Sequence, residues 1–424
     1  MFLHVTRCSS FQERDYVRST RNQCRTRGFL SSRRRFRSAK RFDLQSATTG
    51  FAEGTRQAVA ILGAAGYTGS ELVRLLLRHP HVEIKALSGT ERTRGRPYGQ
   101  VYPQYAFESI ISANGKQGPS PVRSLPPLCL TEEVDFSQVD TVFCCLPHAT
   151  TQSIVTSILQ SAVGRTPRVI DLSADFRLAD VHTYAHWYGT PHRAPDLQAE
   201  AVYGLTEFAR ADIRSARLVA NPGCYPTGAQ LALVPLIRAQ LIALDDVIID
   251  AKSGVTGAGR SAKEANLFCE VTEGMHAYAV ANHRHAPEIE QGLSRAAGLG
   301  NSGVVVNFTP HLVPMARGIL ETIYVRCQAG VTPGDLRACL EQAYGEEKFV
   351  HVLADPQQVP QTRYVRGSNH VVMNVFPDRL QGRAILVVAF DNIVKGASGQ
   401  AVQNMNVMMG IPEHTALEQG PLFP

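Results

Sequence analysis

A cysteine in Asn221-Pro222-Gly223-Cys224-Tyr225-Pro226-Thr227-Gly228 and two histidines in Asn282-His283-Arg284-His285-Ala286-Pro287-Glu288 are the residues best suited to covalent chemistry here. Asn-Pro-Gly makes a turn, and the apolar periodicity that begins after Cys224 makes a helix, so the thiol stands where a strand passes into a helix. First-turn amides and the helix dipole favour thiolate over thiol at such a place, and the same donors can hold an oxyanion on a bound carbonyl. A lone cysteine usually serves as a small buried hydrophobe. The Pro and Gly on both sides of Cys224 argue against that role. His283 and His285 read as alternate residues of extended backbone that look into one site, with Pro287 opening the next helix at its first position. A zinc pair would need two more ligands, and none with suitable spacing accompanies them, so no metal site is expected. Acid/base work for the sulfur is the better reading.

The elements that would position this chemistry begin at residue 58. Ala58–Leu62 is a β-like run, Gly63-Ala64-Ala65-Gly66-Tyr67-Thr68-Gly69 is a small-residue turn, and Glu71–Leu77 has helical periodicity. Strand, glycine turn and helix in that order form a dinucleotide cradle in which small residues let the backbone approach a pyrophosphate at a helix N-terminus. The spacing is GxxGxxG instead of GxGxxG. The next strand, Val82–Leu87, ends in Ser88-Gly89-Thr90-Glu91-Arg92-Thr93-Arg94. Ser88, Arg92 and Arg94 suit a 2′-phosphate, which favours NADP over NAD. Strands over Val139–Cys145 and Arg168–Leu172 end at Pro147 and Arg177, where parallel strands present ligand groups. Arg177 reads either as an anion ligand or as an ion-pair partner of Asp171 or Asp175.

Farther on, Val247–Lys252 runs into the loop Ser253-Gly254-Val255-Thr256-Gly257-Ala258-Gly259-Arg260, whose backbone donors can meet a small polar ligand. Long β-like runs at Val304–Pro310, Ile319–Cys327, His370–Pro377 and Ala384–Asn392, with one helical insert at Pro333–Tyr344, predict an α+β domain on a mostly antiparallel sheet. A second glycine-rich turn, Lys395-Gly396-Ala397-Ser398-Gly399, leads into a helix expected to fold back on the first domain.

Composition sets outer limits. With 424 residues the chain needs more than one core. Residues 1–50 carry twelve basic side chains against three acidic ones, a charge of +9, so the formal +6 of the whole leaves −3 for the body. The body thus offers nothing for nucleic acid. An Arg- and Ser/Thr-rich, acid-poor leader reads as an organelle transit peptide. No window approaches the apolar length of a membrane span. Nine cysteines without paired or metal-like spacing point to reduced thiols.

Taken in order, GAAGYTGSELVRLL, CLPHATTQ, IDLSADFRL, NPGCYPTG, SGVTGAGR, HRHAPEIE, HLVPMARGIL and DNIVKGASGQAVQNMN resemble the N-acetyl-γ-glutamyl-phosphate reductases, relatives of the aspartate-semialdehyde dehydrogenases, over about residues 57–412. The resemblance implies NADPH-dependent reductive dephosphorylation of an acyl phosphate to a semialdehyde through a Cys224 thioester. It also implies a catalytic histidine in the HRH segment, read here as His285 with His283 as the alternative. Arg177 and Asn221 are expected to hold phosphate, and Ser253 and Gly254 the substrate or nicotinamide. Gly63, Gly66, Tyr67, Thr68, Gly69, Pro147 and Asn404 are expected along the cofactor. The resulting fold is a Rossmann domain over 51–220, completed by 396–424, with a catalytic and oligomerisation domain over 221–395 inserted. A homodimer or homotetramer is expected, in a plastid stroma, with the mitochondrion as the second choice. Other readings of the same core are an aspartate-semialdehyde dehydrogenase, a carrier-linked aminoadipyl- or glutamyl-phosphate reductase, or a dinucleotide-binding regulator without chemistry.

Overall fold

The computed structural model describes residues 56–106, 125–160 and 166–423. The leader expected over 1–50 lies outside them.

A strand of apolar residues with both faces buried starts the first sheet. In β1 (Gln57–Leu62), Val59 and Ile61 join one core while Ala60 and Leu62 join another on the opposite face. That two-sided burial is what a parallel sheet with helices on both faces requires. β2 (Val82–Ser88), β3 (Leu128–Cys129), β4 (Thr141–Cys144), β5 (Arg168–Asp171), β6 (Val202–Tyr203) and β7 (Leu218–Ala220) complete it in the order β3-β2-β1-β4-β5-β7-β6. All of its pairings are parallel. The C-terminal helix Gly399–Met409 contributes Ala401, Val402, Met405 and Met408 to the core that holds Val59 and Ile61. The late glycine-rich segment therefore does return to the first sheet.

In the second sheet three strands, Val247–Gly254, Val306–Val313 and Ile319–Arg326, alternate buried and less buried residues, the mark of strands with one core face. The sheet comprises β8 (Val247–Gly254), β9 (His276–Ala277), β10 (Val306–Val313), β11 (Ile319–Arg326), β12 (Val350–Val352), β13 (Val371–Pro377) and β14 (Arg383–Phe390), in the order β12-β13-β14-β11-β8-β10-β9. Its β11 pairings to β14 and β8 are antiparallel, as are β13 to β14 and β9 to β10. Two parallel pairings, β8 with β10 and β12 with β13, make the sheet mixed. Its buried face packs on the helix Cys224–Arg238, which carries Leu231, Leu233, Leu236 and Ile237 into the same core. Among the described residues, no helix is long and apolar enough to cross a membrane.

Candidate active site

Residue 223 is glycine because three polar side chains converge on it. A Cβ there would lie 2.7 Å from His285 Nε2, 2.9 Å from Arg177 Nη1 and 3.0 Å from Glu288 Oε2. Cys224 follows at once as the first residue of its helix, at the carboxyl end of β7. Imidazole, guanidinium and carboxylate are thereby gathered around the residue that precedes the cysteine.

Each of the three is fixed from a different element. Arg177 donates through Nε to the Asn221 carbonyl and through Nη2 to the Leu172 carbonyl, both at 2.8 Å. Its Nη1 faces Glu288 Oε2 at 3.5 Å, so its acidic partner is Glu288 and neither Asp171 nor Asp175. Glu288 sits in the first turn of the helix Ala286–Ala296 and is 1% exposed. Its Oε1 accepts the Gly223 N–H at 2.7 Å and the Tyr203 hydroxyl at 2.8 Å, and Gln230 supports Tyr203. His285 caps that helix with right-handed helical backbone (φ −83°, ψ −15°), which corrects the extended geometry expected for the HRH segment. The two imidazoles still share one aromatic pocket, with centroids 4.8 Å apart and Tyr225 and Phe308 as neighbours.

The histidines differ in what they are free to do. His283 Nδ1 accepts the His285 N–H at 3.0 Å. His285 turns Nε2 toward Gly223 and leaves a buried Nδ1 without a partner. Burial, with His283, Arg177 and Arg284 nearby, pushes His285 well below the ordinary imidazole range. Burial also pushes the Cys224 thiol up to about 12, against the opposing pull of Arg177 and the Tyr225 amide. Desolvation thus outweighs the helix start: burial favours the thiol over the thiolate that the turn implied, and the uncharged imidazole over its cation.

The dinucleotide cradle is equally specific. Gly63 has φ +77°, and a Cβ on it would lie 2.4 Å from the Cys145 carbonyl; one on Gly69 would lie 2.5 Å from the Gly63 carbonyl. Three tyrosines hold the outside of the turn. Tyr98 donates to Ala64 O, Tyr102 to Ala65 O and Gly66 O, and Tyr105 to Ser70 O, at 2.9, 3.0, 3.2 and 3.0 Å. With those carbonyls engaged, the first-turn amides of the helix Tyr67–Leu76 remain for an anion. The donor set fits a pyrophosphate.

One short segment touches both sites. In the π-helical turn Val394–Ser398, a Cβ on Gly396 would lie 2.9 Å from Cys224 Cβ, and Ser398 Oγ donates to Thr68 O at 2.9 Å. Lys395, fully buried, pins this turn by bonding Gln403 at 2.8 Å and pairing with Glu207. π-turns interrupt helices most often where function needs the altered spacing.

Comparison with known proteins agrees with this geometry. Residues 58–216 match the family model described as semialdehyde dehydrogenase, NAD binding domain, and 224–392 match semialdehyde dehydrogenase, dimerisation domain. The chain is 56% identical to an N-acetyl-γ-glutamyl-phosphate reductase of Rhodospirillum rubrum over 86% of this chain and 98% of the relative. It is 53% identical to a probable chloroplastic one of Oryza sativa over 89% and 85%.

The chain belongs to the N-acetyl-γ-glutamyl-phosphate reductase family.

An aspartate semialdehyde dehydrogenase II from Vibrio cholerae, with a TM-score of 0.60 and 19% identity over 84% of this chain and 98% of its own, shows the same fold. A dehydrogenase of that kind from Candida albicans, solved with NADP, has a TM-score of 0.60 at 18% identity, covering 84% of this chain and 99% of its own.

Several residues expected in this reductase-family site are engaged by neighbouring protein groups. Asn221 is fully buried, donating to Ala397 O at 3.2 Å and accepting from Asn404 at 3.2 Å, so it braces the π-turn instead of facing a phosphate. Asn404 is spent in the same way on Gly204 O at 2.8 Å and the Thr206 hydroxyl at 2.7 Å. Ser88 is buried and accepts the Gly63 N–H at 3.1 Å while bonding Thr131, so it shapes the cradle instead of reaching a 2′-phosphate. Arg94 is paired with Glu133, whereas Arg92 is exposed on the short helix Glu91–Thr93 without an ion-pair partner among the described residues. Pro147 is exposed after β4, and its carbonyl takes the Thr150 hydroxyl at 2.6 Å. Ser253 is buried, and Gly254 is held so close to Ala316 that a Cβ would lie 2.7 Å from its carbonyl. Glu288, Tyr203 and Lys395 were missed. The signal for Glu288 was a carboxylate one residue before Ile289, on the face of an amphipathic helix that must be buried.

Proposed function

We propose that this chain catalyses the NADPH-dependent reductive dephosphorylation of N-acetyl-L-glutamyl 5-phosphate to N-acetyl-L-glutamate 5-semialdehyde, a step of arginine biosynthesis. The carrying observation is that the Val394–Ser398 turn rests on both Cys224 and the cradle of Gly63–Gly69, so that sulfur and dinucleotide serve one reaction. Family membership supports the substrate class. A regulator without chemistry would not need Gly223 to be squeezed between His285, Arg177 and Glu288.

In the mechanism we infer, His285 Nε2 takes the Cys224 proton as the sulfur attacks the acyl carbon. The new C–S bond forms as the C–O bond to phosphate breaks, leaving a thioester. NADPH, when bound, supplies the hydride that reduces the thioester carbon. The resulting tetrahedral adduct collapses to the aldehyde, and the departing sulfur recovers its proton from His285. Arg177 faces Cys224 as the fixed positive charge and is itself held by Glu288. Gly63, Gly66, Tyr67, Thr68 and Gly69 would hold the pyrophosphate, Arg92 the 2′-phosphate, and Pro147, Ser253 and Gly254 the nicotinamide end.

The Rossmann domain is assigned to 51–220 with 396–424, and the catalytic and oligomerisation domain to 221–395. A homo-oligomer is supported by the exposure of Leu267, Phe268, Met275 and Val280 in the second domain. Plastid targeting of residues 1–50 is supported by their charge and by the chloroplastic relatives in Oryza sativa and Arabidopsis thaliana. The deciding assay is phosphate-dependent reduction of NADP⁺ by N-acetyl-L-glutamate 5-semialdehyde. Aspartate 4-semialdehyde as the preferred substrate would refute the assignment.

A further inference from the structure

We infer that Arg260, a residue of the second domain, is a ligand of the bound dinucleotide's pyrophosphate and clamps it against the Gly63–Gly69 turn. The inference rests on the dinucleotide reading above and adds a contact from outside the nucleotide-binding sheet.

Arg260 ends the loop that leaves the carboxyl end of β8. The base of that loop is rigid. Val255 N–H bonds Met315 O at 2.9 Å, and Thr256 donates through its hydroxyl to Ala316 O at 2.6 Å while accepting from Asn392 at 3.0 Å. The tip, Gly257 to Gly259, is exposed, and Gly259 turns the chain with φ +81°. Beyond it the guanidinium crosses to the first domain. Its Nη1 donates to Ala65 O at 2.9 Å, and its centre lies 4.7 Å from the centroid of the Tyr102 ring.

This placement has no adequate structural return. A long, exposed side chain ordered for hydrogen bonds to Ala65 O and the Tyr102 hydroxyl in water contributes little. Ala65 O is also already satisfied by Tyr102 at 3.0 Å. Among the described residues no carboxylate lies within ion-pair distance of Arg260. What the arrangement does achieve is orientation: the Tyr102 face fixes the plane of the cation against the turn that carries Ala65, with further guanidinium donors not spent on that carbonyl. A planar fork of donors matches two phosphate oxygens. The pyrophosphate is the phosphate concerned, because Ala65 belongs to the turn after β1, whereas Arg92 stands after β2, one strand away.

The test is equilibrium titration of the full chain with NADPH and with NADH, read by nicotinamide fluorescence, alongside thermal melting without cofactor. Arg260→Gln should raise the Kd for both dinucleotides by the same factor, about ten- to hundredfold. Arg260→Lys, which keeps the charge and loses the fork, should fall between. If Arg260→Gln melts early, the lysine variant with wild-type melting carries the test, and its Kd must still exceed that of the wild type. Unchanged affinity in a folded variant would overturn the inference, as would a loss confined to NADPH, which would move the contact to the 2′-phosphate. A wild-type chain that bound neither dinucleotide would refute the underlying reading and this inference with it.

Discussion

Glu288 accepts the backbone N–H of Gly223 at 2.7 Å, one residue before Cys224, from a helix capped by His285, whose Nε2 also faces Gly223. A single carboxylate therefore sets the strand-to-helix turn and faces Arg177 at the same time. Replacing Glu288 by Gln keeps an acceptor for the amide and removes the charge. Turnover should fall about ten- to hundredfold with cofactor affinity unchanged, and Glu288→Ala, which strands Arg177 as a buried charge, should cost about 3–5 kcal/mol of stability. Steady-state kinetics and denaturant melts check both; a Gln variant with wild-type kcat would remove Glu288 from the mechanism.

Cys224→Ser should still bind NADPH while losing at least ~10³-fold in turnover, because an alcohol has no comparable route to its anion beside a neutral imidazole. Retention of a tenth of the activity would be incompatible with a thioester.

The resting thiol is pushed up to about 12, so alkylation of Cys224 by iodoacetamide in the ligand-free protein should climb with pH from 7 to 10 without levelling. A plateau near neutrality would mean that a thiolate already exists before ligands arrive.

His79 and His283 are both pushed from 6.5 down to about 4 by burial. The folded protein therefore binds their protons less readily than the unfolded chain, and the stability they contribute is present above pH 6.5 and lost as pH falls toward 4. Urea midpoints should drop between pH 7 and pH 5, and less so in His79→Gln; a flat profile would contradict it.

Arg92→Ala should raise the KM for NADPH several-fold and leave that for NADH unchanged, since Arg92 is an exposed cation after β2 with no ion-pair partner among the described residues. Arg94→Ala should do much less, because Arg94 is already paired with Glu133. Equal effects on the two cofactors would mean that the loop does not read the 2′-phosphate.

The strong periodic segments were legible in the residues alone. The helix expected at Pro333–Tyr344 is found with those bounds, and the β-like run Ile319–Cys327 appears as Ile319–Arg326. Short-range rules suffice there, since apolar spacing, Pro and Gly act within a few residues of themselves. Cys224 and the glycines of the cradle were legible for the same reason: each marks a local backbone requirement.

Partners distant in the chain were not legible. Asn404 donates to Asn221 across 183 positions of sequence, and Arg177 finds Glu288 instead of the aspartates near it in sequence. Which ring nitrogen of which histidine reaches Gly223, and whether burial or the helix start governs the thiol, also followed only from packing. Hydrogen-bond direction and desolvation depend on what the whole chain brings around a group, and a polar residue looks the same in sequence whether it will face a ligand or be consumed by a neighbour.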